Sequence, residues 1–294
     1  MRAGGAAAVG AWAAPPADVL EDLLPLVRDP NDEVKIQVCE VLSGWSGGTE
    51  RVVEGLCQAL AEDDSAWVQS SAALALGRIG TGAARAGPAL LRAAQTGEAG
   101  VREQAMRALV MIQPPEATEA FTSGLADATA EVRMVASAGW MKAEAVPASA
   151  GPALVEALRD PEPQVRANAA HALARLEELP TGAVTALREC AGDPNDGLRL
   201  NAALALRQAP SAEAADLMEH LLNDPNVRVR LVAAGAILSV TPTHPHAAEV
   251  VLAATDDQSP RVRQAVEELL PLIPKEPAGS DASKGEAPLA PTGM

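Results

Sequence analysis

Histidine is the residue type in this chain best suited to bind a metal ion or to transfer protons. The 294 residues include four histidines, His171, His220, His244 and His246. His244 and His246 enclose a proline, a spacing that could meet a metal ion, yet no cysteine or third histidine lies nearby in the sequence. We interpret this segment as a solvated loop and predict that the protein holds no metal.

The sequence motifs of nucleotide binding, acyl transfer and redox chemistry are missing. There is no phosphate-binding loop, no nucleophile elbow and no Cys-x-x-Cys pair. The glycine-rich run from Gly77 to Gly82 falls where a helix is predicted to end, and a glycine C-cap is expected there. Cys39, Cys57 and Cys190 have no close pairing in the sequence, which favours buried, reduced thiols and a cytoplasmic protein.

An acidic and a basic residue recur along the chain around an apolar residue, which we call the anchor. Successive anchors are 31 to 34 residues apart and are Val34, Val68, Val101, Val132, Val165, Leu198, Val229 and Val262. Aspartate stands five residues before every anchor except the third, where Thr96 replaces it. Arginine follows every anchor except the first two, which are followed by Lys35 and Gln69. A period near 33 residues indicates a stacked array of repeats.

Each repeat has the apolar pattern of two helices, A and B. Helix A carries an apolar residue eleven positions before the anchor, and helix B carries apolar or small residues at the anchor and four and eight positions after it. These three positions of helix B lie on one helical face, which we predict to be buried. Proline follows the aspartate in four repeats and would end helix A there.

The consensus Leu-x-Asp-Pro-x-x-x-Val-Arg-x-x-Ala-Ala-x-Ala-Leu resembles the HEAT repeat family, and within it the short bacterial branch named after phycobilisome lyases. The clearest copies run from Leu158 to Leu176 and from Leu222 to Leu238. The resemblance implies an all-α, right-handed alpha-alpha superhelix of about eight helical hairpins over residues 17–273. Residues 1–16 would then be a flexible segment and residues 274–294 a disordered tail. It also implies that each aspartate and arginine serve a structural ladder between adjacent repeats.

The same resemblance implies a scaffold or adaptor that binds another protein along the concave surface of its B helices. A second interpretation stays open, a bilin lyase-like or metal-dependent oxidoreductase-like enzyme of the HEAT-like superfamily. The HEAT-like relative deoxyhypusine hydroxylase binds iron through His-Glu pairs, whereas this chain has only the reversed pair Glu219-His220. We therefore predict a protein without catalytic residues or a cofactor.

The charge of the chain argues against nucleic acids and anionic membranes as partners. The formal net charge is −16, and binding to phosphates requires clustered lysine and arginine. No apolar run approaches the length of a membrane span. We therefore expect the partner to be another protein.

The predicted binding surface is the face of helix B opposite the buried one, which lies two, six and nine positions after the anchor. Repeats six and seven place four leucines there, which we predict to form one exposed apolar strip: Leu200, Leu204, Leu231 and Leu238. Polar side chains would lie along its edge: His171, Asn168, Asn201 and Arg207. The strip would suit a partner helix or extended segment that carries basic residues. Burial of the strip by curvature of the array is the alternative.

Overall fold

The protein is described by a computed structural model that covers residues 17–45, 49–209 and 211–274. These residues form α-helices, short 3-10 helices and loops, and they contain no β-strand. The all-α helical-repeat fold predicted from the sequence is thus confirmed, while the right-handed sense of the superhelix stays a prediction. Apart from Pro274, the two predicted terminal segments lie outside the described residues.

Helices A and B alternate along the described residues. The A helices are α1 (Ala17–Leu23), α3 (Thr49–Glu62), α5 (Gly87–Thr96), α7 (Ala117–Gly124), α9 (Gly151–Ala157), α11 (Ala183–Ala191), α13 (Ala212–Leu221) and α15 (Pro245–Ala253). The B helices are α2 (Asp32–Ser43), α4 (Ala66–Ile79), α6 (Ala99–Ile112), α8 (Ala130–Lys142), α10 (Pro163–Leu173), α12 (Asp196–Leu206), α14 (Val227–Val240) and α16 (Pro260–Leu269). Short 3-10 helices occur at Leu24–Arg28, Gly80–Ala86, Ala148–Ala150 and Leu270–Leu272.

The chain divides into two compact units between Ala214 and Ala215, within α13. In unit 1 each B helix from α4 to α12 packs on the A helix that precedes it, α2 packs on the 3-10 helix Leu24–Arg28, and B helices of adjoining repeats pack on each other. In unit 2, α14 packs on α15 and α16. Long-range packing within each unit therefore joins neighbouring repeats.

The predicted core positions are buried with few exceptions. All eight anchors are at most 3 % exposed, and so are the residues four positions after them. Eight positions after the anchor, the side chain is buried in the first six repeats, whereas Ile237 is half-buried and Leu270 is 37 % exposed. Eleven positions before the anchor, only Cys57 is less than fully buried. The apolar pattern therefore predicted which helix faces form the core.

Glycine serves two local purposes in α4. Gly80 caps the end of this helix with a positive φ of 69°, which confirms the C-cap predicted for the glycine-rich run. Gly77 lies where α4 crosses α6, and a Cβ atom on it would be 3.1 Å from the Cα atom of Ala108. The two helices can approach this closely because position 77 has no side chain.

The turn between helices A and B is organised by the repeated aspartate. Its Oδ1 accepts a hydrogen bond from the backbone N–H two residues later, for example at 2.8 Å from Glu162 to Asp160. The same bond is made by Asp29, Asp63, Asp127, Asp193, Asp224 and Asp257. The carboxylate therefore satisfies one of the free N–H groups at the start of helix B.

The repeated arginine connects two successive turns. Within its own repeat, the Nη1 of Arg166 donates to the carbonyl oxygen of Asp160 at 2.9 Å. Its Nη2 donates to the carboxylate of Asp193 in the next repeat at 3.0 Å. The expected ladder exists, but the carboxylate in each rung belongs to the following repeat and not to the acid six positions earlier. Three further rungs are Lys35 to Asp63, Arg102 to Asp127 and Arg133 to Asp160.

Candidate functional site

Two of the four leucines predicted to be exposed are buried. Leu231 is 2 % exposed and Leu238 is 0 % exposed, so the predicted exposure of both is wrong. The reason lies in unit 2, where α16 covers this face of α14. Gly235 follows Leu231 by one helical turn, and Leu269 of α16 would lie 2.6 Å from a Cβ atom on Gly235.

The predicted polar edge is mostly engaged in contacts between repeats. Asn168 is buried, and its Nδ2 donates to the Oγ of Ser137 on α8 at 3.0 Å. The Nδ2 of Asn201 on α12 donates to the carbonyl oxygen of Ala167 on α10 at 3.0 Å. These two asparagines link B helices to each other, so burial and hydrogen bonding leave them little capacity for a partner.

The other predicted site residues of unit 1 stay accessible to different degrees. Leu200, Leu204 and His171 are half-buried, whereas Arg207 is exposed. Burial, then the nearby charge of Arg175, lowers the pKa of His171, although its side-chain hydrogen bond to Asn201 raises it. His171 is therefore neutral at pH 7 and takes part in the same link between α10 and α12.

Of the three positions at which the sequence argument placed the exposed face of the B helices, the one six after the anchor is exposed in the first three repeats, whereas those two and nine after it are half-buried or buried there. In these repeats the exposed face runs through the positions one before the anchor and six and ten after it, and the position three after the anchor is half-buried. In α4 these positions hold Trp67, Ser71, Leu74 and Arg78, of which only Ser71 is half-buried. Positions five and seven are buried because B helices of neighbouring repeats pack on each other, so the accessible arc is narrow.

Four large apolar side chains lie exposed on three consecutive B helices of unit 1. They are Trp67 and Leu74 on α4, Met111 on α6 and Met141 on α8, with exposed fractions of 79 %, 38 %, 50 % and 43 %. Met111 reaches back to α4, since its Sδ would be 3.4 Å from a Cβ atom on Gly77. We call these four residues the apolar patch. It runs diagonally from the start of α4 to the end of α8.

Charged side chains without an ion pair flank the apolar patch, and their sign differs between its two ends. Asp64 and Glu98 precede α4 and α6 at the turn end, and both are exposed. Arg78 and Lys142 are exposed at the far ends of α4 and α8. None of these four forms an ion pair with another described residue, whereas Arg107 between them is paired with Glu103 at 2.7 Å.

The junction between α4 and α6 is the place in unit 1 where the sequence removes a rung. Gln69 and Thr96 replace the arginine and aspartate, and Gln69 Nε2 donates to the backbone carbonyl oxygen of Asp63 at 2.7 Å. A cavity of about 370 Å³ at this junction includes Asp64, Glu98 and Arg92 in its lining, and a cavity of about 650 Å³ lies at the preceding junction, where the rung from Lys35 to Asp63 is present. Ala66, the residue before Trp67, belongs to the lining of the smaller cavity.

The thiols have raised pKa values, and the metal-binding side chains do not cluster among the described residues. Burial raises the pKa of Cys39 to about 12 and those of Cys57 and Cys190 to about 11, so the thiols stay protonated at neutral pH. Among the described residues, no group of three or more histidine, cysteine, aspartate or glutamate side chains is placed to hold a metal ion. In the same residues, no helix has both the length and the apolar character to cross a bilayer.

Sequence analysis missed the apolar patch, although one signal for it is visible. The position before the anchor holds Glu33, Gly100, Glu131 and Gln164 in neighbouring repeats but tryptophan in the second. A large aromatic residue at a register position that is otherwise polar or glycine does not belong to the core that the repeats share. That contrast could have directed attention to Trp67.

Comparison with known proteins supports the repeat architecture. The sequence profile described as HEAT repeats matches residues 1–77, 53–141, 135–207, 151–237 and 184–271. No curated protein matches the chain. An engineered protein of known crystal structure is similar with a TM-score of 0.62 and 20 % identity, over 92 % of this chain and 84 % of its own. YibA of Escherichia coli is similar with a TM-score of 0.56 and 21 % identity, over 85 % of this chain and 92 % of its own. At these identities the likeness concerns the fold alone.

Proposed function

The chain belongs to the HEAT repeat family, and from this premise we propose that it is a non-catalytic, cytoplasmic scaffold that binds a segment of another protein. The proposed site is the B-helix face of unit 1, centred on the apolar patch. The arrays of this family are commonly protein-interaction scaffolds. The proposal of a cytoplasmic location draws on the three cysteines, which are all free thiols.

The observation that carries the proposal is the exposure of Trp67. Its side chain is 79 % exposed, and burying the 150–250 Å² of an aromatic side chain contributes about 4 kcal/mol. Tryptophan is enriched among the residues that dominate binding energy at interfaces. Met111 and Met141 extend the patch with flexible side chains that adapt to different partners.

The dimensions of the patch indicate how long the bound segment must be. Trp67 and Leu74 are separated by about 10 Å along α4, given a rise of 1.5 Å per residue. Packed helices lie about 8–10 Å apart, so the two spacings from α4 to α8 add about 16–20 Å, and the diagonal of the patch measures about 20–25 Å. A partner helix of about 16 residues or an extended segment of about 7 residues would span it.

Affinity purification from the native host tests this proposal with a matched pair of variants. The double variant Trp67→Ala with Leu74→Asp removes the patch on α4, and both positions are exposed, so the helical circular dichroism and melting temperature should stay unchanged. We expect the main partner, identified by mass spectrometry, to be lost. The control is Leu252→Asp on α15, where the side chain is 55 % exposed but lies in unit 2. Retention of the same partner by the double variant would refute the proposed site.

A further inference from the structure

The charges around the apolar patch carry information about its partner. Asp64 and Glu98 stand at the start of B helices, and Arg78 and Lys142 stand at their ends. Interaction with the helix dipole accounts for the sign at each end. All four side chains are exposed, and none of them forms an ion pair with another described residue, so each can contact a partner.

The turn end of the patch is suited to a guanidinium or ammonium group. Trp67 offers an exposed indole ring, and a cation over such a ring is attracted by its negative face. Gly100, at the same register position on α6, leaves open space beside it, since a Cβ atom there would have no neighbour within 4 Å. Asp64 and Glu98 supply carboxylates at the same end, so ring and carboxylates favour the same kind of ligand.

The missing rung removes a positive charge of the chain from this end. At three other junctions of unit 1 an arginine of the chain itself lies between successive turns, donating to a backbone carbonyl oxygen and to a carboxylate. At the junction of α4 and α6 the uncharged Gln69 occupies that register, and a cavity of about 370 Å³ lies there. Arg92 of α5 contributes one positive charge to its lining, against the carboxylates of Asp64 and Glu98.

Building on the proposed function, we propose that the partner segment is bipolar. One end carries an arginine or lysine that contacts Trp67, Asp64 and Glu98, the middle carries apolar residues that cover Leu74 and Met111, and the other end carries an acidic residue that contacts Arg78 or Lys142. A uniformly basic segment would meet the two cations, and a uniformly acidic one would meet the two carboxylates. Like charges in contact lower affinity, so the surface selects against both.

Selection of peptides by the full-length protein tests the proposal without knowledge of the natural partner. A phage library that displays random 20-residue peptides is enriched on the wild-type protein and counter-screened on the Trp67→Ala, Leu74→Asp variant. We expect the peptides that depend on the patch to carry basic residues toward one end, acidic residues toward the other and apolar residues between them. Patch-dependent peptides without this separation of charge would overturn the proposed polarity and leave the proposed function standing. If no enriched peptide depends on the patch, the proposed function fails together with the inference.

A synthetic peptide of the enriched sequence then assigns each charge. Glu98→Gln and Arg78→Gln are each expected to weaken binding about threefold, because exposed ion pairs contribute less than about 1 kcal/mol. Replacing the basic residue of the peptide should remove the effect of Glu98→Gln, and replacing its acidic residue should remove the effect of Arg78→Gln. The control is Glu156→Gln, which neutralises an exposed carboxylate on helix α9. Equal affinity of all three variants and the wild type would contradict the proposal.

Discussion

At the scale of single residues, the turn aspartates combine two functions that are usually separate. Asp160 is 9 % exposed, accepts a hydrogen bond from the backbone N–H of Glu162, the N-cap residue of α10, and accepts hydrogen bonds from Arg133 at 2.6 Å and 3.2 Å. We expect Asp160→Ala to lower the free energy of unfolding by about 2 kcal/mol, since it removes the turn hydrogen bond and leaves a part-buried guanidinium without its carboxylate. Urea denaturation followed by circular dichroism measures the change.

The variant Asp160→Asn separates the two functions. The Oδ1 of an asparagine can still accept the turn hydrogen bond from Glu162, but the side chain carries no charge, so its loss of stability should be smaller than that of the alanine variant. An unchanged free energy of unfolding in Asp160→Ala would show that the ladder does not stabilise the fold at this position.

The ladder also predicts how stability responds to acid. The hydrogen bond from Arg102 lowers the pKa of Asp127 below its usual 3.8, although burial opposes the shift. A carboxyl group whose pKa is lowered in the folded state stabilises the protein at higher pH, and this contribution is lost as the pH falls through the folded-state pKa. The difference in unfolding free energy between the wild type and Asp127→Asn should therefore be constant above about pH 5 and shrink toward about pH 2. A difference that does not depend on pH would contradict the expected pairing.

At the scale of helices, the closest approach of α4 and α6 depends on Gly77. A Cβ atom there would be 3.1 Å from the backbone of Ala108 and 3.4 Å from Met111 Sδ. We expect Gly77→Val to separate the two helices, displace Met111 and cost about 2 kcal/mol, the usual range for overpacking.

Gly100→Val is the matched control for this change. Gly100 belongs to α6, and a side chain there would meet nothing within 4 Å. Removing a glycine from a helix reduces the entropy of the unfolded chain, so the control should be neutral or slightly stabilising. Equal melting temperatures of the two valine variants would disprove the close contact between α4 and α6.

The helices and their buried anchors could be predicted from the sequence because the same apolar pattern recurs in eight repeats, and a pattern that is weak in one repeat is recognised from the others. The exposed face could not be placed from the anchor and the positions four and eight after it, because these describe contact with helix A alone. Neighbouring B helices also bury positions five and seven, as at Ala73 and Ala75. The consensus Ala-Ala-x-Ala-Leu already places small residues at both positions, so the narrower exposed face could have been inferred.

The polar edge was misplaced for a second reason. Asn168 and Asn201 look like surface residues by type, yet each donates to the preceding B helix. Whether an amide side chain faces water or a neighbouring repeat depends on the distance between helices. The distance between helices of neighbouring repeats cannot be predicted from the helical pattern within one repeat.

At the scale of the whole molecule, packing between neighbouring repeats within each unit should weaken the cooperativity of unfolding. Trp140 is fully buried in the fourth repeat and reports on its surroundings by fluorescence. In a variant that keeps Trp140 and replaces the other tryptophans by phenylalanine, we expect the fluorescence transition in urea to differ from the transition of the helical circular dichroism. Coincident transitions would show that the array unfolds as one cooperative unit.

The rungs use the same kinds of residue at the same register positions, so the junction between one pair of repeats can take the place of another. Residues 161–193 span one period, and both the residue before this segment and its last residue are turn aspartates followed by proline. If the segment is deleted, Asp160 takes the place of Asp193, and Arg199 can donate to its carbonyl oxygen as Arg166 does at 2.9 Å. Asn201 arrives at the register position of Asn168, opposite Ser137. We expect the shortened chain to fold, so the gene can gain or lose a whole repeat by recombination without any compensating mutation.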